Sequence, residues 1–252
     1  MKVAAPVRQL GRVAALLLIS LLALEVFFLA RIAAMAFIDP KSTTFQRSEV
    51  WRLLREKGRI EWSQQWVPDA AISPQLKRAV IASEDAAFSE HGGIDWDAIE
   101  RAWERNQRAE ARAEQRNNLA ANGRRPRAEP KIVGGSTITQ QLAKNLFLSG
   151  ERTPLRKAQE IALTFALEAC LGKRRILEIY LNNVEWGEGL FGAQAAARHY
   201  YHIDAAKLGA YPAARLAVML PAPKRFEKRP GSPYVNGRAA TVVARMGAVE
   251  LP

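Results

Sequence analysis

A mainly α-helical domain behind one N-terminal membrane-spanning helix is the architecture this sequence predicts. Three observations carry it. Val13 to Ala30 is almost wholly apolar, and weaker apolar character continues to Ile38. Downstream, apolar residues recur at helical spacing in segments opened by Ser-Pro or Thr-Pro pairs and punctuated by glycines. No stretch sustains the period-two alternation of a half-buried strand.

The apolar run, taken over 13–38, is long enough to cross about 30 Å of hydrocarbon as a helix. Glu25 is the one acid within it. Lys2, Arg8 and Arg12 precede the span and Arg31 and Lys41 follow it, a weak bias toward a cytoplasmic N-terminus over 1–12. Ala34-Met35-Ala36 has the small-residue pattern of a cleavage site, but the apolar region exceeds the roughly 7–15 residues of a signal peptide. An uncleaved anchor is therefore expected. In either case the remainder lies outside the cytoplasm, which argues against nucleic acid as partner. The charge of +12 then points to anionic lipid or a phosphorylated substrate.

Residues 39–66 read as a juxtamembrane connector, with some helix near Val50 to Lys57 and three tryptophans, Trp51, Trp62 and Trp66. Residues 67–252 form the domain. Ser73-Pro74 opens a helix with a cap and a proline at its first position, and Glu84 falls near its end. Gly92-Gly93 stops the pattern. Asp97 to Gln115 reads as a charged helix. Asn117 to Pro130 reads as a basic loop, in reach of lipid headgroups. After Gly134-Gly135, Ser136 or Thr137 caps a helix that buries Ile138, Leu142 and Leu146. Gln140, Gln141 and Lys144 lie on its polar side. Thr153-Pro154 opens the next helix, along which Arg156, Glu160, Thr164 and Glu168 form a polar seam. Such a seam on an apolar helix is costly unless it lines a cavity or is internally paired. Further helices are expected over Arg174 to Asn182, Gly192 to Tyr201 and Ala213 to Leu220. Cys170 reads as a buried, inert thiol. The three histidines and the absent CxxC give no zinc pattern.

The chemistry rests on two carboxylates on separate helices, Glu84 and Glu160, with Lys144, Arg152, Arg156 and Lys157 beside them in sequence. Glycosyl transfer from a diphosphate donor needs a base for the attacking hydroxyl and cations for the departing diphosphate. A carboxylate pair alone would also fit a glycoside hydrolase. The cations would be superfluous at a neutral leaving group.

Five motifs in order make this more specific. Ala82-Ser83-Glu84-Asp85-Ala86-Ala87-Phe88, continuing to His91-Gly92-Gly93-Ile94-Asp95, is the first. Gly135 to Asn145, reading GSTITQQLAKN, is the second, and Arg156-Lys157-Ala158-Gln159-Glu160 the third. Ile176 to Asn183 and Leu216 to Pro221 complete the set. Together these resemble the family 51 glycosyltransferases, over roughly residues 67 to 240. No serine stands three residues before a lysine, so the chain resembles the monofunctional branch, the biosynthetic peptidoglycan transglycosylases without a transpeptidase.

The resemblance implies a lysozyme-like helical head and a smaller membrane-facing jaw, placed about residues 100–133. That segment is more arginine-rich than expected for this branch. The resemblance implies that Glu84 is the general base for the 4-hydroxyl of the acceptor, lipid II. Glu160 assists at the diphosphate; no cofactor is firmly implied, a divalent cation near Glu160, Mg2+ or Mn2+, being the candidate. Lys144 and Arg152, with Arg156 and Lys157 close by, grip the diphosphate. Asp85, Ser136, Thr137, Gln140 and Gln141 shape the cleft. The implied location is the bacterial inner membrane, single-pass, with the catalytic domain in the periplasm. The implied partners are lipid II, lipid-linked glycan and membrane lipids, with cell-wall synthesis or division proteins beside them. A lytic, lysozyme-like enzyme and a non-catalytic membrane scaffold are the alternatives.

Overall fold

The computed structural model describes residues 4–119, 134–151 and 153–252. Helix α1 (Ala4–Ala34) carries the apolar span, placed at Gln9–Ala34. Its last turn enters the domain, because Ile32 and the following Met35 are buried in the main core. Phe28 meets Phe147 edge-on, and the Arg31 guanidinium lies 5.1 Å from the same ring. The anchor is thus packed on the domain, and Phe37 and Ile38, counted in the span by composition, lie in the exposed turn after it.

The segment expected as a connector is instead part of the folded body. Helix α2 (Thr44–Lys57) starts six residues earlier than expected, at a capping box formed by Thr43 and Gln46. Gln46 reaches the side chain of Asn183 at 3.3 Å, and the Thr44 hydroxyl donates to the Leu146 carbonyl at 2.9 Å. Strand β1 (Ser63–Gln64) follows, and Trp62 stacks on Phe191 at 4.5 Å.

Helix α3 (Pro74–Glu84) has the expected Ser73 cap and ends on Glu84. Helix α4 (Trp96–Leu119) is a single charged helix, longer than predicted. The jaw expected over 100–133 lies partly on α4 and partly outside the described residues. Helix α5 (Ile138–Phe147) is capped by Thr137, again through a capping box, here with Gln140. Helix α6 (Pro154–Cys170) and helix α7 (Lys173–Asn183) follow, and Cys170 is half-buried rather than buried. Strands β2 (Glu185–Gly187) and β3 (Leu190–Phe191) complete a three-stranded sheet in the order β1-β3-β2 that periodicity did not predict. Strands of two or three residues are too short to show alternation. Helix α8 (Ala193–Tyr201), helix α9 (Ala210–Met219), helix α10 (Pro223–Phe226) and helix α11 (Pro233–Met246) end the fold.

Two packing units place the site. Helix α3 packs against α9 and α11, and α5 packs against α2, α6 and α7. Leu76, Ile81, Phe88, Ile138, Leu142, Leu146, Ile176 and Tyr180 are buried between them in one core. Burial of each large side chain contributes about 1.5–3 kcal/mol, so the relative position of α3 and α5 is strongly held.

Candidate active site

Glu84 sits where these two units meet. It terminates α3, half-buried, with its carboxylate facing α5. Gln141 Nε2 donates to Glu84 Oε2 at 3.1 Å, and Ser83 Oγ donates to Oε1 at 3.3 Å. Burial pushes the Glu84 carboxyl above its ordinary range, while the two hydrogen bonds pull it down and the nearby Asp85 charge adds to the rise. A carboxylate desolvated in this way binds a proton more readily than one in water. Behind Gln141 stands Tyr180, whose hydroxyl donates to Gln141 Oε1 at 2.8 Å. Burial, helped by the Glu84 and Asp85 charges, holds Tyr180 well above the usual phenol range, so it remains a donor. The chain Tyr180, Gln141, Glu84 fixes which end of the Gln141 amide faces the carboxylate.

Asp85 is fully committed to the scaffold. Its Oδ2 accepts from the backbone N–H of Ile138, the first residue of α5, at 2.9 Å. Its Oδ1 meets His91 Nε2 at 2.8 Å. Gly93 N–H donates to His91 Nδ1 at 3.1 Å, which leaves the ring proton on Nε2, pointing at Asp85. Gly93 itself has φ +96, and a Cβ there would fall 2.7 Å from Thr164 Cγ2. The glycine lets the loop after α3 lie against α6. Thr137 ties the same loop to α5, donating to the Gly93 carbonyl at 2.6 Å while accepting from Gln140 N–H. Gln140 Oε1 in turn accepts from Thr137 N–H at 3.0 Å. Asp85, Thr137 and Gln140 therefore hold the loop after α3 against the start of α5.

Next to this lies a cavity of about 290 Å³ lined by Phe45, Ser136, Gln140, Gln141, Lys144, Asn145, Arg156, Lys157 and Glu160, among others. Gln141 joins the two parts: it lines the cavity and bonds the Glu84 carboxylate. Lys144 is exposed on the cavity wall and also engaged within the protein. The predicted polar seam of α6 is internally paired. Arg156 Nη1 donates to Glu160 Oε2 at 2.9 Å, and Lys157 bonds Glu160 Oε1. Thr164 Oγ1 donates to the Glu160 carbonyl at 2.7 Å. Glu168 accepts from Thr139 at 2.6 Å and pairs with Lys173 at 2.8 Å, pinning α5 to α6. Arg156 Nε is buried without a hydrogen-bond partner among the described residues, an unsatisfied donor at the cavity edge. Arg152, expected beside these cations, lies outside the described residues.

Glu160 does not fit a divalent cation as the site stands. Both its oxygens are held by cationic side chains, and the described residues contain no group of three His, Cys, Asp or Glu able to ligate one. Two contributors escaped sequence reasoning. Tyr180 read simply as core, and Phe45 fell in the supposed connector. The Thr43-to-Gln46 capping box was the signal that could have placed Phe45 on a packed helix.

A family model described as Transglycosylase matches residues 52–247. The chain belongs to the transglycosylase family. The transglycosylase domain has the lysozyme-like glycosyltransferase fold, in agreement with the mainly helical body described above. Proteins named biosynthetic peptidoglycan transglycosylase from Burkholderia orbicola and Burkholderia lata are each 51% identical over 231 residues, 92% of this chain and 86% of theirs. One of the same name from Burkholderia multivorans is 47% identical over 251 residues, 100% of this chain and 95% of its own. The five motifs that carried the resemblance all fall within the matched region of this transglycosylase.

Proposed function

We propose that this transglycosylase extends glycan chains by inverting transfer onto the 4-hydroxyl of lipid II, with Glu84 as the general base. Polymerisation of peptidoglycan glycan chains follows from its family and relatives. The residue roles are part of this proposal. One observation supports them above the rest: a desolvated carboxylate and a cation-lined cavity share one side chain, Gln141.

The acceptor sugar hydroxyl approaches Glu84, which takes its proton as the oxygen attacks the anomeric carbon of the growing chain. The diphosphate leaving group, still on its polyprenyl lipid, departs into the cavity lined by Lys144, Arg156 and Lys157. Arg152 is proposed to join them. Glu160 holds Arg156 and Lys157 in place at the cavity wall, and the unpartnered Arg156 Nε is available to a phosphate oxygen. Ser136 rims the cavity and Gln141 orients the base. A lytic hydrolase would have a neutral leaving group and no use for this wall of cations.

The apolar helix α1 is consistent with a single-pass anchor. We place the anchor in the bacterial inner membrane, with the catalytic domain in the periplasm among lipids and lipid-linked glycan. Cell-wall synthesis or division proteins are proposed partners.

The test is Glu84→Gln assayed with labelled lipid II. Loss of the base should lower the rate by about 10²–10⁴ with the melting temperature preserved. In the wild type, kcat/KM should rise with pH through a midpoint above the ordinary carboxylate value of 4.5, because the base form appears only above its raised pKa. Near-wild-type polymer yield from the variant would remove Glu84 from the mechanism.

A further inference from the structure

A second cavity, of about 600 Å³, shares no lining residue with the catalytic one. It is built by the end of α9, by α10 and by the first turn of α11. Arg225, Lys228 and Arg229 line it, together with Phe226, Ser232 and Tyr234. Three like charges in one recess repel one another, and none of the three forms an ion pair among the described residues. Their charged neighbours are committed elsewhere. Lys224 pairs with Glu49 at 2.5 Å, and Glu227 Oε2 accepts from the Glu188 N–H at 2.6 Å. Below the loop, Arg215 donates to the Pro230 carbonyl at 2.8 Å, and its Nε is buried without a hydrogen-bond partner. A fourth positive charge thus stands behind the recess.

An aromatic platform lies beside these cations. The Phe226 and Tyr234 rings stack at 5.7 Å with 6° between their planes, and Tyr234 is 52% exposed. The Arg225 guanidinium sits 5.8 Å from the Phe226 ring centre. A flat apolar face next to several cations suits a ligand that has both a pyranose C–H face and carboxylates. A free phosphate or a lipid headgroup would use the cations and leave the platform idle. The anchor docks through α6 and Phe147, whereas this cavity is built on α9–α11.

We propose that the cavity is an exosite for the newly made glycan strand, held by the carboxylates of its stem peptides and by one sugar face. The inference rests on the peptidoglycan reading above. Holding the strand here would keep product near the enzyme between transfers without touching the reacting atoms.

The experiment uses the full chain in detergent micelles and soluble peptidoglycan strands in two forms, with stem peptides and stripped of them by an amidase. Binding is measured for the native chain as parent and for its Lys228→Ser/Arg229→Ser and Tyr234→Ala variants. The double variant should weaken binding of peptide-bearing strands about tenfold or more. Tyr234→Ala should weaken both strand forms, and stripped strands should not distinguish the double variant from its parent. In the otherwise native chain, Lys228→Ser/Arg229→Ser should leave the initial polymerisation rate unchanged. Equal strand binding by parent and double variant would overturn the exosite. So would lost binding to anionic phospholipid vesicles with strand binding intact, which would give the recess to lipid. A native chain that binds strands as expected yet never polymerises lipid II would refute the proposed function and leave the exosite standing.

Discussion

Asp85→Asn tests the clamp that holds Glu84 against α5. Both Asp85 oxygens accept hydrogen bonds, one from Ile138 N–H and one from His91 Nε2. An asparagine has one oxygen and one amide nitrogen. If the nitrogen faces Ile138, two N–H groups oppose each other at the buried start of α5. If it faces His91, the imidazole must move its proton to Nδ1, where it meets the Gly93 N–H instead. Either way one buried donor is left unsatisfied, which costs about 1–3 kcal/mol. The lost negative charge at the α5 N-terminus adds about 0.3–1 kcal/mol. The expected loss is therefore about 1–4 kcal/mol, or roughly 3–16 °C in Tm for a domain of this size. Thermal unfolding in matched detergent measures it, and polymerisation is read well below the lowered Tm. There the rate should still fall at least tenfold, because Glu84 follows the same loop and a shift of about 1 Å can cost roughly 10²-fold. A Tm within about 1 °C of wild type would refute the hydrogen-bond reasoning. A large Tm loss with full activity would confine Asp85 to stability.

Two further predictions concern charge. Lys144→Ala and Arg156→Ala should each weaken use of the lipid-diphosphate donor about tenfold or more, seen as lower kcat/KM. Unchanged kinetics in both would remove the diphosphate grip. Glu185→Gln should stabilise the protein at pH 8 by about 1–3 kcal/mol. Burial, only partly offset by Lys224, pushes the Glu185 carboxyl up to about 7 from 4.5, so its ionisation weakens the fold as pH rises between those values. The advantage of the glutamine should accordingly vanish near pH 4. A stability difference between variant and wild type that is the same at both pH values would show that Glu185 is not desolvated as the fold places it.

Local signals determined much of this protein. Ser73-Pro74, Thr153-Pro154 and the Thr137 cap fix where α3, α6 and α5 begin, since a cap and its N–H groups lie within three residues of one another. The same signals at Thr43 and at Ser232-Pro233 mark α2 and α11, and the apolar residues Val235, Ala239, Val242 and Met246 keep helical spacing behind the second. The apolar anchor and the ordered motifs are likewise properties of the chain. What the tertiary structure alone decided is which groups meet. Asp85 and Ile138 are 53 residues apart, and Gln141 and Tyr180 are 39 apart. Tyr180 on its own helix is an apolar-face residue like its neighbours. Only the packing of α7 against α5 brings its hydroxyl to Gln141, and only the meeting of α3 with α5 desolvates Glu84. Sequence names the acids and cations. Burial and distance, which depend on long-range packing, set which acid is desolvated at the cleft, which is a clamp and which holds two cations in place.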